Sequence, residues 1–167
     1  MIFLVNDANI LIDLLKIDLL EPFFQLDYDF QVTDMAFVEI QEDNIFDLDP
    51  FLEAGTLTRQ SFSFEELMRI QLIEVENPAL SIADCSCLYL SQKQSATLLT
   101  GDAVLRRIAE QNSITVHGIL WIFDEIVAHG LISSKEAADK LLELMEINLR
   151  LPGKECKKRI KAWKREP

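Results

Sequence analysis

The 167 residues carry 28 acidic and 16 basic side chains, a formal net charge of −12, and 49% of them are hydrophobic. A chain of this length fills one compact domain, and so large an apolar share excludes a disordered polymer. No apolar run approaches the roughly 20 residues that a membrane-spanning helix needs.

The opening run Met1–Val5 lacks a basic start, is short for a secretion signal and meets Asp7 at once, so a cytoplasmic protein is expected. Cys85, Cys87 and Cys156 are odd in number, lack metal-site spacing and read as reduced thiols. Residues 2–5 form a short continuous apolar run, the pattern of a strand buried on both faces. Asp7-Ala8-Asn9 breaks it, and Ile10, Leu11, Leu14 and Leu15 follow at helical spacing. Phe30-Gln31-Val32 reads as a second strand ending at Thr33-Asp34, and either residue can cap a helix through Phe37, Val38 and Ile40. Asp49-Pro50 opens a short helix that Gly55 closes. Thr56 to Phe62 alternates as a strand, Ser63 to Glu76 is an amphipathic helix, and Pro78 is a break.

Ser81 to Gln94 reads as a helix whose start carries Asp84. Ala96 to Thr100 is a buried strand that stops at Gly101-Asp102, and Val104, Leu105, Ile108 and Ala109 mark one face of the next helix. Ile114-Thr115-Val116 is the last strand, with His117-Gly118 as its turn. Helices over Ile119–Ala128, Ser134–Asn148 and about Glu155–Trp163 complete the chain. Short apolar strands alternating with helices predict an α/β fold, a three-layer α/β/α sandwich with a short parallel sheet and Rossmann-like topology. Ligands in such folds sit beyond the carboxyl ends of the strands, where the strand order reverses.

That rule draws attention to acids. Asp7 and Asp102 each follow a buried strand immediately, Glu39 lies one to two turns into the helix after another, and Asp84 lies near a helix start. Carboxylates gathered without cations raise one another's pKa and destabilise the fold. A hard divalent ion relieves this, and all-oxygen ligation suits Mg²⁺ or Mn²⁺. Such an ion activates water and stabilises a leaving oxygen on phosphorus. The competing reading is structural: Asp84 and Asp102 are also well placed to favour helix N-termini, and Glu39 to be solvated. Thr100 either bonds a metal-bound water or simply closes its strand. His117 and His129 read as a turn residue and a helix-end charge, and Trp121 and Phe123 as core or dimer-face packing, with base stacking as the lesser alternative.

Four segments carry a family resemblance. FLVNDANILIDLL looks like a first acidic motif, with Asp7 as its acid and Asn9 as polar helper; VTDMAFVEI is similar to a second, ending in Glu39. LSIADCSCLYLS matches the helix of a third acid, Asp84, and LLTGDAVLRRIAEQNSITVHGILWIFDEIVAHGLIS resembles the last motif, with Asp102. Together they resemble the PIN-domain family, in particular small prokaryotic proteins related to VapC toxins. The likeness spans about residues 1–150, read as a PIN-like nuclease domain, and leaves 151–167 as a basic C-terminal helical extension. The departures are a long stretch between Glu39 and Asp84 and that extension. The resemblance implies Mg²⁺- or Mn²⁺-dependent cleavage of RNA phosphodiester bonds, with Asp7, Glu39, Asp84 and Asp102 as catalytic and metal-binding residues. It also implies an antitoxin partner and a homodimer, the latter expected from the apolar surplus too.

Charge is unevenly spread. Lys154 to Pro167 holds seven basic and two acidic residues, so a basic tail follows an acidic body. Ile160 and Trp163 are the apolar positions that would dock such a helix, and its cations would then offset the body's charge or catch phosphate. A non-catalytic PIN-like module retaining a metal or partner site is the alternative to an enzyme. A phospho-acceptor domain is disfavoured, because no lysine ends the late strand at Val116-His117.

Overall fold

In the computed structural model, which describes residues 1–42 and 48–166, the first apolar run becomes the central strand of a sheet. Strands β1 (Phe3–Asn6), β2 (Asp29–Thr33), β3 (Leu57–Gln60), β4 (Thr97–Leu99) and β5 (Val116–His117) lie in the order β3-β2-β1-β4-β5, every neighbouring pair parallel. Leu4 and Val5 are fully buried. Both faces of β1 are therefore covered, which is why its sequence is continuously apolar instead of alternating.

The helices are α1 (Ala8–Lys16), α2 (Leu20–Phe24), α3 (Asp34–Glu42), α4 (Asp49–Glu53), α5 (Phe64–Glu76), α6 (Ile82–Gln94), α7 (Ala103–Gln111), α8 (Ile119–Ala128), α9 (Ser134–Ile147) and α10 (Gly153–Arg165). This is the three-layer α/β/α arrangement that the alternation predicts. α6 lies against β1, β2 and β4, and buries Cys85, Cys87, Leu88 and Leu90. The strand order reverses at β1, with β2 on one side and β4 on the other, so the loops after β1 and β4 flank one crevice.

Local signals account for the helix ends. Thr33 caps α3, its hydroxyl accepting from the Ala36 amide at 3.1 Å. α5 and α6 both open on reciprocal capping boxes, Ser63 with Glu66 and Ser81 with Asp84. Past α4, Gly55 adopts a φ of 73°, the left-handed conformation that ends a helix most readily at glycine.

Two stretches differ from the pattern reading. α2 was not legible: it is one short turn, held by Phe23 and Phe24 packing on Phe30 at 4.8 and 5.1 Å. β5 is Val116–His117, not Ile114–Val116. Ser113 turns left-handed at φ 60° and the Ile114 amide bonds back to the Ala109 carbonyl at 3.0 Å, so Ile114 lies in the turn that follows α7.

α10 packs on α9 and buries Cys156, Ile160 and Trp163, the last of which meets Phe123 at 6.0 Å. Arg159 grips Asp124 of α8 with two nitrogens, Nε at 3.0 Å and Nη2 at 2.8 Å. One of the tail's cations thus offsets charge on the body. All three cysteines are buried and unpaired. Among the described residues, no helix is long and apolar enough to cross a membrane.

Trp163→Ala removes the largest anchor of α10, and the lost burial and residual cavity should lower unfolding stability by about 3 kcal/mol. Lys164→Ala beside it should stay within about 0.5 kcal/mol of the parent. Urea unfolding of both variants checks this.

Candidate active site

Asp7 sits where β1 gives way to α1, in extended backbone at φ −67° and ψ 146°, and its side chain makes no capping bond. The carboxylate turns instead to Thr100, whose hydroxyl donates to Asp7 Oδ2 at 2.8 Å. The residue is only 3% exposed. Burial pushes its carboxyl up from the ordinary 3.8 to about 6. The Thr100 bond and the Ala8 amide oppose the rise, while the charges of Asp84 and Glu39 add to it.

Those two acids come from helices that are locked together. Thr33, at the start of α3, lies 2.8 Å from Ser86 Oγ of α6, and Ser86 donates its own proton to the Ala83 carbonyl at 2.6 Å. Thr33 is therefore the donor of the pair, because the single Ser86 proton is already committed, and its oxygen accepts the Ala36 amide as well. Glu39, on the solvent side of α3, is itself raised, first by partial desolvation and then by Asp84 and Glu42. Asp84 is the third residue of α6, where its carboxylate accepts from the Ser81 amide at 3.0 Å.

Asp102 caps α7, its Oδ1 accepting from the Leu105 amide at 2.8 Å. Its own amide donates to Thr100 Oγ1 at 3.0 Å. One hydroxyl thus connects the ends of β1 and β4. Asn9, Thr100 and Asp102 line an open cavity of about 690 Å³ together with Arg106, Trp121 and Arg150.

The structure therefore couples Asp7, Glu39 and Asp84 electrostatically and ties Asp102 to Asp7 through Thr100. The donors suit a hard divalent cation in kind, being carboxylate oxygens. Asp7 suits it best, since a cation relieves the burial and repulsion that raise its pKa. Among the described residues, no group of three or more His, Cys, Asp or Glu side chains is placed to hold an ion. The carboxylates of Asp84 and Asp102 engage helix amides, as the structural reading of those positions expects. Sequence reading missed the Thr33–Ser86 link and the cations of the cavity. Thr33 was legible as a cap but not as a tie to α6, because its partner lies far along the chain.

A doubly wound parallel sheet with acids at the ends of β1 and β4 defines an α/β domain whose site lies at the switch point. Residues 3–165 match the family DUF3368, a PIN domain, a span that runs through α10. The chain belongs to the PIN-domain family, a nuclease-type family whose members typically use divalent metal ions. Among solved structures, it is similar to a PilT N-terminus domain protein from the hyperthermophilic archaeon Sulfolobus solfataricus P2. The TM-score is 0.50 at 15% identity, covering 75% of this chain and 94% of that one, a likeness of fold. No curated protein matches the chain in sequence.

The raised carboxyl of Asp7 makes a signed prediction. Its folded pKa of about 6 lies above the ordinary 3.8, so its contribution to stability is fully present below pH 3.8 and lost as pH rises through 6. The shift is worth about 3 kcal/mol. Without metal, the wild type should lose more stability between pH 4.5 and 7.5 than Asp7→Asn does, and the variant should be the more stable at pH 7.5. Paired denaturation curves in EDTA at the two pH values measure the difference.

Proposed function

We propose that this PIN domain is a metal-dependent endoribonuclease that hydrolyses RNA phosphodiester bonds, with Asp7, Glu39, Asp84 and Asp102 as its acidic centre and Mg²⁺ or Mn²⁺ as its ion. The observation that carries the reading is the Asp7 carboxylate, buried at the switch point beside the charges of Asp84 and Glu39, with the Thr100 hydroxyl as its partner. Helix capping does not account for it, since its side chain makes no capping bond to α1. When bound, the divalent ion supplies a water of lowered pKa and charge stabilisation for the leaving oxygen. Asp7, Asp84, Asp102 and Glu39 are the side chains that would hold it. Thr100 fixes the orientation of Asp7, and Asn9 stands at the rim where a phosphate arrives. Glu39, exposed and raised, suits the proton transfers that accompany attack by water.

On the same reading the protein is a cytoplasmic, VapC-like toxin that an antitoxin protein holds inactive, and it forms a homodimer. The exposed apolar residues Phe64, Met68, Leu72 and Val75 along α5 support a contact with a second copy. A second reading, a non-catalytic module with a metal or partner site, has its own support: Asp84 and Asp102 are spent on helix caps.

Pooled RNA incubated with Mn²⁺ or EDTA decides between them. Cleavage should require Mn²⁺ and disappear in Asp7→Asn and in Asp102→Asn. Asparagine caps helices as well as aspartate does, so Asp102→Asn should keep its stability within roughly 0.5 kcal/mol while losing activity. A wild type that binds Mn²⁺ yet leaves RNA intact establishes the module instead.

A further inference from the structure

Beside the acidic centre lies the cavity that Asn9, Thr100 and Asp102 help to line. Three cations line it with them. Arg106 reaches in from the second turn of α7, and Arg150 from the loop between α9 and α10; Lys16 stands at the end of α1. These three cations face only Asp13 and Asp102 among the cavity's acids, so the cavity is locally positive in a chain of net charge −12.

The cations are not committed elsewhere. Arg150 makes no ion pair among the described residues, and Arg106 has only a long contact of 3.7 Å with Glu110. Both are nevertheless positioned. Gly118 leaves room for Arg106: a Cβ there would come within 3.2 Å of Nη2. The loop that carries Arg150 is pinned by Asn148, which donates to Asp13 at 2.8 Å and accepts the Arg150 amide at 3.0 Å.

The remaining lining is apolar and aromatic. Trp121 stacks parallel on His117, centroids 4.4 Å apart and planes 6° off, so a rigid pair of rings backs the cavity. Leu149, 89% exposed, stands at the rim with nothing covering it. Cations for a phosphate, an aromatic wall for a ring and a volume of about 690 Å³ together describe a nucleotide. A paired base cannot enter a concave pocket, whereas a splayed one in a single strand can.

We infer that the cavity binds one nucleotide of a single-stranded RNA beside the scissile phosphate, its phosphate on Arg106 and Arg150 and its base against Trp121. The inference rests on the ribonuclease reading above and deepens it, assigning this cavity, through Arg106, Arg150 and Trp121, as what holds the substrate. Lys16 adds field at the cavity's edge. The acidic centre can then work on a polyanion because the neighbouring phosphate is already neutralised.

The full-length protein in EDTA, titrated into a fluorescently labelled single-stranded RNA 10-mer, tests this by anisotropy. Arg106→Gln and Arg150→Gln should each weaken binding about tenfold at moderate salt and lower the slope of log affinity against log salt by about 0.7. Charge-matched Lys158→Gln and Lys164→Gln on α10 should change neither. A duplex of the same sequence should bind more weakly than the single strand. In a Trp163→Phe background, 5′-AMP should quench the remaining Trp121 fluorescence. Arg150 is exposed, so its variant should fold even where Arg106→Gln does not.

Wild-type affinity in both arginine variants overturns the assignment, and so does equal affinity for the duplex. Quenching by 5′-AMP with unchanged RNA affinity in the arginine variants also overturns it, leaving a mononucleotide site. The two levels fail separately. RNA bound through Arg106 and Arg150 but uncut with Mn²⁺ removes the nuclease reading alone. RNA cut in an Asp7-dependent way, with binding indifferent to both arginines, removes the cavity alone.

Discussion

An ionisable carboxyl has been buried at the point where the strand order reverses, and the neighbouring structure is organised around tolerating it. Asp7 reaches that point because its amide continues the β1–β4 ladder by one step, donating to the Leu99 carbonyl at 3.0 Å. Thr100 is in turn fixed from the far side, its amide on the His117 carbonyl at 3.1 Å. The same residue donates its hydroxyl to Asp7 and accepts the Asp102 amide on it. The position of the buried charge therefore depends on the register of β1, β4 and β5 together. Shortening β5 to two residues does not loosen this, because His117 is one of the residues that remain.

Capping and metal chemistry are usually set against each other as explanations for an acid at a helix start. Here they share a cause. α1, α6 and α7 all begin at or near the ends of β1 and β4 or against them, and each brings amides with positive partial charge. Those amides support Asp84 and Asp102 through the Ser81 and Leu105 N–H groups, which donate to their carboxylates. Asp7 lacks a side-chain capping bond and is the one whose pKa shows the strain of the arrangement.

How much of this the sequence disclosed follows from how local each signal is. Strands β1 and β4 were legible because burial on both faces makes them continuously apolar, and Asp7 and Asp102 were legible because they follow those strands directly. Ser63, Ser81 and Gly55 marked helix ends through interactions within four residues of themselves. α2 escaped notice because one turn has too little length for periodicity, and its helix is made by aromatic packing with Phe30. Glu39 and Asp84 could be named but not joined, since the Thr33–Ser86 bond that joins their helices spans two distant segments. The cavity was invisible for the same reason in stronger form. Lys16, Arg106, Trp121 and Arg150 lie on four separate elements, and no spacing rule relates them.

Net charge is the bulk property that would mislead most about a protein of this kind. A total of −12 argues against binding nucleic acid only if the charge is smeared evenly, and salt at physiological strength confines each charge to about 8 Å. Within such a radius the molecule is divided. Carboxylates collect at the switch point, where an ion would be needed, and cations line the cavity that opens next to it. The basic helix α10 looks like the electrostatic partner of RNA in the sequence, yet its Arg159 is bound to Asp124 and its docking face is spent on Cys156, Ile160 and Trp163. The cavity's arginines are fewer, but neither is held by a close ion pair among the described residues, and they line the same cavity as Thr100 and Asp102. For a phosphodiester, proximity to the attacking site outweighs the number of charges, because only a phosphate held there is presented for cleavage.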